Sequence, residues 1–318
     1  MIRFGLCCLF LEQPIKFRTT TATALLKQSR LEQLAKLSFL CLENARALLA
    51  AYKYCHAAGI GCFRVNSQIL PLKTHPLAGY EVADLPDRKL IIAAFKECGS
   101  YLKAHGLRAS LHPDQFVVLN SPRPEVVNSS IAEIEYQAQV ADWVGADVIN
   151  IHAGGGYGDK KAALFRFGEN YLKLSKAARR LISLENDDKT YTPSDLLPIC
   201  RELHIPMVYD VHHHRCLQDS MSIEQATDAA VKTWKNREPM FHISSPIDGW
   251  QGRQPSRHHD YIDPADFPEC WLQLDITIEV EAKAKELAVI KLMDVCKPKT
   301  KIRIAQSGII DKITDKSV

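Results

Sequence analysis

Val148-Ile-Asn-Ile-His152, Leu181-Ile-Ser-Leu-Glu185 and Pro206-Met-Val-Tyr-Asp210 are short apolar runs, each closed by an acid or an imidazole, and amphipathic stretches over Lys161–Arg180 and Pro193–Leu203 separate them. Runs of this length, rich in Ile and Val, read as buried strands, and the longer stretches with apolar residues three and four apart read as helices. Strand, helix, strand in succession gives parallel strands joined by right-handed crossovers.

The same unit extends in both directions. Ile2–Cys8, Gly61–Asn66 and Leu107–His112 precede this segment, and Met240–Ser244 and Asp275–Glu281 follow it, which makes eight strands in all. Further helical patterns cover Leu25–Tyr54, Lys89–Ala104, Pro124–Val144, Ile223–Lys235 and Ala282–Met293. Eight β/α units are the number that closes a (β/α)8 TIM barrel, and 318 residues suit one such domain. No linker or low-complexity tract divides the chain. The expected organisation is an α/β barrel over 1–296 and a basic extension over 297–318 carrying Lys299, Lys301 and Arg303. Pro124 and Pro193 fall at expected helix starts, and Gly59, Gly106 and Gly145 at expected helix ends.

Hydrophobic residues make up 46% and charged residues 24%, the balance of a globular chain with a large core. A net charge of +3 neither demands nor excludes nucleic acid, so a DNA surface has to arise from local clustering. Ten cysteines without a CxxC pair read as reduced thiols, several of them core residues. The apolar stretch Phe4–Leu11 is too short to span a bilayer and has no cleavage site. No membrane association and a cytoplasmic location are expected.

Chemistry concentrates where the strands end. His112, His152, Glu185, Asp210, His242 and Glu281 lie at or near the C-terminal ends of six of the eight strands. In a TIM barrel those ends form one rim, which carries the active site. Alternation along each strand puts Ser110 on the face of His112, Asn150 with His152, Ser183 with Glu185 and Glu279 with Glu281. One strand-end histidine is commonly structural. Six convergent acids and imidazoles would repel one another or go unsatisfied unless divalent cations held them. Mixed imidazole and carboxylate donors suit Zn²⁺ or Mn²⁺ better than Ca²⁺. His212, His213 and His214, and His258 and His259, add candidates in the following loops. His56, His105 and His204 sit near helix ends, where a dipole contact or exposure accounts for them.

Ten segments, among them Phe63-Arg-Val-Asn66, Thr74-His-Pro76, Ser110-Leu-His-Pro-Asp-Gln115, Ile151-His-Ala-Gly-Gly155, Asp210-Val-His-His213 and His258-His-Asp-Tyr261, resemble those of UV damage endonucleases, in order and over nearly the whole chain. These enzymes share a fold with endonuclease IV. The resemblance implies a DNA repair endonuclease that cuts the phosphodiester 5′ to UV photoproducts, and in some members beside abasic sites, leaving a 3′ hydroxyl. It implies three divalent ions, Mn²⁺ foremost and Zn²⁺ or Mg²⁺ as alternatives. Glu185 would bridge two of them, with Asp210, His242 and Glu281 on one and His112 and His152 on the other. Asp210, His213 and His258 would hold the third, with His259 the alternative to His258, and His75 would line the mouth beside catalytic Glu185.

Gln115 and Phe116 correspond to a pair that probes the duplex, although by residue type alone Phe116 could equally pack under Pro113. Lys16, Arg18, Arg253 and Arg257 would contact phosphates. The implied partner is damaged double-stranded DNA, bound by a monomer that is nucleoid-associated when acting. The chain departs from some relatives at Met240, where they carry a modified lysine, and at Leu6 and Phe10, where they place a Tyr and an Asn. On the residues alone, a metal-dependent sugar isomerase or epimerase on the same barrel is the competing reading.

Overall fold

The computed structural model describes residues 1–297, so the extension expected at 297–318 lies, beyond Lys297, outside the described residues. Eight parallel strands, β1 (Ile2–Cys7), β2 (Cys62–Val65), β3 (Arg108–Leu111), β4 (Val148–His152), β5 (Ile182–Glu185), β6 (Met207–Asp210), β7 (Met240–Ile243) and β8 (Ile276–Val280), close into a barrel in chain order. β1 pairs with β8 through Ile2 opposite Ile276 and with β2 through Leu6 opposite Phe63. Around it run α1 (Ala22–Leu25), α2 (Arg30–Ala57), α3 (Arg88–Ala104), α4 (Pro124–Val144), α5 (Lys160–Tyr171), α6 (Lys176–Leu181), α7 (Pro193–Leu203), α8 (Val211–Cys216), α9 (Ile223–Thr233) and α10 (Lys285–Cys296). The eight-strand TIM barrel read from the sequence is the observed fold.

Helix boundaries follow capping chemistry. Pro124 and Pro193 open α4 and α7, and Gly145 ends α4 with φ 77°, a left-handed conformation that glycine adopts without a Cβ clash. Two expected helices are each split. The stretch expected over Leu25–Tyr54 breaks before α2, where Ser29 and Glu32 form a reciprocal capping box. The stretch expected over Lys161–Arg180 breaks between α5 and α6, where the Ser175 side chain accepts from Ala178 N–H. A hydroxyl that can satisfy free N–H groups starts a new helix even inside an unbroken apolar period. The His212–His214 segment, expected as loop, is the short helix α8, capped by the Asp210 side chain accepting from His213 N–H at 2.8 Å.

The core has two parts. The larger packs the outward faces of the strands against the helices and contains Leu6, Phe63, Phe95, Ile151, Tyr209 and Phe241. The smaller, Cys62, Val148, Val208, Met240 and Trp234, lies inside the barrel, because by alternation its strand residues share the face of Arg64, Asn150, Asp210 and His242. Below this apolar slab, Arg3 and Arg108 reach Glu238 and Thr277. Trp234 donates from Nε1 to Met207 O, with the Arg108 and Arg237 guanidinium groups over its ring. Above the slab the interior is polar. All ten cysteines are free thiols, and burial pushes Cys200 up to about 12.

Candidate active site

The strand-end residues converge as alternation requires. Glu185, almost fully buried at the end of β5, is the centre. Its Oε1 lies 3.0 Å from His242 Nδ1 and 3.4 Å from His213 Nδ1, and its Oε2 lies 3.1 Å from His112 Nε2 and 3.7 Å from His152 Nε2. Four imidazoles from four elements thus face one carboxylate, two to each oxygen. Asn150, one turn of the pleat below His152, donates to Oε2 at 2.5 Å and fixes the plane of the carboxylate.

Donor atoms of three overlapping groups come within 4.8 Å of one another: His112, His152 and Glu185; His112, His242 and Glu281; and Glu185, Asp210 and His213. His258 Nδ1 stands 3.8 Å from Glu281, at the edge of the cluster. His259 is turned away, its Nδ1 accepting from Tyr261 N–H, which selects His258 as the neighbour of the cluster. His75 falls outside all three groups. Its Nδ1 accepts from Leu77 and Ala78 N–H, and it lines a neighbouring groove with Asp114 and Phe116.

Electrostatics in the cluster are strained by proximity. Burial alone would raise the Glu185 carboxyl, but His242 and His152 outweigh it and hold the group well below the usual carboxylate range. Burial would lower His242, yet Glu185, with help from Glu281, lifts it to about 10. His213 is likewise driven well up against burial by Asp210 and Glu185, whereas burial prevails at His152 and depresses it. Among the described residues, two buried atoms of the cluster's own side chains, His152 Nδ1 and Asp210 Oδ2, have no hydrogen-bond partner. Orphaned donors and acceptors beside several carboxylates and imidazoles are what divalent cations satisfy. The donor set therefore fits divalent metal ions.

A description as UV-endonuclease UvdE fits a family model that matches residues 2–311. The chain belongs to this family. The UV DNA damage endonuclease of Bacillus cereus strain G9842 is 34% identical over 288 residues, spanning 87% of this chain and 88% of the relative. The SacUVDE crystal structure is similar with a TM-score of 0.83 and 30% identity, covering 93% of this chain and 98% of that one. Endonuclease IV from Thermus thermophilus, 16% identical with a TM-score of 0.59 over 92% and 97% of the two chains, shares the fold. Membership of the UvdE family decides against the sugar isomerase reading.

Other expectations for this UvdE member take up definite places. Gln115 and Phe116 are exposed in the loop after β3, and Phe116, 75% exposed, does not pack under Pro113. Lys16 and Arg18 follow β1 and Arg253 and Arg257 follow β7, all exposed in loops at the C-terminal rim. Leu6 is buried in the larger core and Phe10 stacks on Phe63. Met240 belongs to the apolar slab.

Sequence reasoning missed Arg64. Its guanidinium, buried on β2, donates from Nε to Glu279 at 2.6 Å and from Nη1 to Glu281 at 2.7 Å, and its Nη2 lies 2.9 Å from His242 Nε2. Glu279, one layer below Glu281 as alternation implies, also accepts from Ser110 and stands 3.1 Å from His242 Nε2. His242 thus has a carboxylate at each ring nitrogen, Glu279 at Nε2 and Glu185 at Nδ1, which suits the doubly protonated imidazolium of the metal-free protein. The signal was an arginine at inward parity within the apolar run Cys62–Val65.

Proposed function

We propose that this UvdE-family chain is a DNA repair endonuclease that recognises UV-damaged duplex DNA, and abasic sites within its range, and hydrolyses the phosphodiester 5′ to the lesion to leave a 3′ hydroxyl. The observation that carries the reading is the Glu185 carboxylate facing two imidazoles on each oxygen. A carboxylate so placed suits a bridge between two cations, with His112 and His152 on one side and Asp210, His242 and Glu281 on the other. Asp210 with His213 and His258 would hold a third ion. Divalent ions bound there, Mn²⁺ by preference, would supply Lewis acidity and an activated water for in-line displacement at phosphorus.

The remaining residues bind and orient. His75, with Nδ1 occupied by backbone N–H groups, carries its proton on Nε2 and can donate it to a phosphate oxygen. Lys16, Arg18, Arg253 and Arg257 would hold the backbone through phosphates, which fixes position without reading sequence. Exposed Phe116, with Gln115, would enter the duplex, where the unstacking cost is least at a step already distorted by damage.

The test is a nicking assay on irradiated and unirradiated supercoiled plasmid with Mn²⁺, with EDTA, and with Glu185→Gln. Nicks that require irradiation and disappear with EDTA or the substitution are expected. Equal cutting of untreated plasmid overturns damage recognition, and activity that survives Glu185→Gln overturns the bridge.

A further inference from the structure

Tyr157 is poorly explained as a packing residue. It sits in the loop after β4 with φ 47°, a left-handed backbone that an aromatic residue rarely adopts, and it is 49% exposed. Gly154 and Gly158 on either side have φ 95° and 83°, so the loop is a tight turn in which Tyr157 alone bears a side chain in that region. Its ring leans on Gly155 of its own loop, with the Arg166 guanidinium 5.8 Å from the ring centroid. The fold gains little from an aromatic held this way.

What the position does provide is access to a cleft of about 640 Å³ at the barrel rim. Tyr157 lines it together with Phe116, the basic side chains Arg123 and Lys189, the acidic Asp187 and Asp188, and the cluster histidines His152 and His213. Exposed aromatics beside cationic side chains bind nucleic-acid bases by stacking, without regard to their identity. Unfavourable backbone conformations retained beside reactive groups mark function more often than stability.

We propose that Tyr157 is a second DNA-reading aromatic, which stacks against a base unpaired at the lesion while Phe116 enters the duplex. This rests on the reading of Gln115 and Phe116 as the probing pair. Tyr157 acts on recognition and takes no part in hydrolysis.

The probe is a duplex oligonucleotide with one thymine dimer and 2-aminopurine beside it. Tyr157→Asn suits the left-handed backbone, because asparagine tolerates that region. It is expected to keep or raise the melting temperature and to leave metal content unchanged. The same variant should weaken quenching of 2-aminopurine and raise the half-saturating enzyme concentration in single-turnover nicking about 5- to 100-fold. Tyr157→Phe should behave as the parent. Unchanged half-saturation and quenching in Tyr157→Asn, with Phe116→Ala impaired, overturns the assignment of Tyr157 alone. No impairment in either variant overturns the probing reading beneath it.

Discussion

Arg64 is a permanent cation of the upper interior, shared between Glu279 and Glu281 in a buried setting. Removing one member of such a group leaves the others charged and unpaired, which costs about 3–5 kcal/mol. Arg64→Gln should therefore lower the urea-unfolding stability of the EDTA-treated protein by about that amount, and Arg64→Lys should recover only part, since one ammonium cannot span two carboxylates as a planar fork does. His242 makes a second prediction. Glu185 stabilises its imidazolium in the fold, so this contribution is complete below about 6.5 and is lost as the pH climbs toward about 10. Stability of the metal-free protein should fall across that interval. Metal affinity should rise across it, because a cation must displace the His242 proton, and paired urea and metal titrations would show the opposed slopes. At this scale the strand-end donors were legible because each lies at or near the end of an apolar run. Arg64 was not, because a charge inside a short strand becomes intelligible only once the barrel interior is known to be polar on that level.

Helix α8 shows an element and a site sharing one carboxylate, by different oxygens. Asp210 caps it by accepting from His213 N–H, and the same carboxylate faces His213 and His242. Asparagine is as good an N-cap as aspartate, so Asp210→Asn should keep the helix and lose metal, whereas Asp210→Ala should lose metal and a further ~1 kcal/mol of stability. Metal analysis beside thermal melts separates the two effects. Strand positions were readable along the whole chain, since buried parallel strands leave uninterrupted apolar runs. Helix breaks at Ser29 and Ser175 were obscured because an apolar period can continue across a cap, and only the hydroxyl marks the new start. The histidine run read as loop for a related reason: six residues are too few to show a helical period.

For the molecule as a whole, the cluster concentrates metal-ligating groups where eight strands meet, and cations that bind only the folded form add stability by mass action. Stripping with EDTA should lower the melting temperature, and restoring Mn²⁺ to about a thousand times its dissociation constant should return about 4 kcal/mol, read as a concentration-dependent shift in scanning calorimetry. The barrel itself was evident from regular alternation, but the partition of its interior into polar and apolar storeys was not, because that depends on which inward residues share a level. The slab of Cys62, Val148, Val208 and Met240, floored by Trp234, closes the lumen beneath the cluster. A plugged shaft cannot thread a polymer. Any long strand must lie across the lip and lower only the nucleotides to be cut, so chain length sets no limit on what can be processed, and both severed ends depart by the side from which they came.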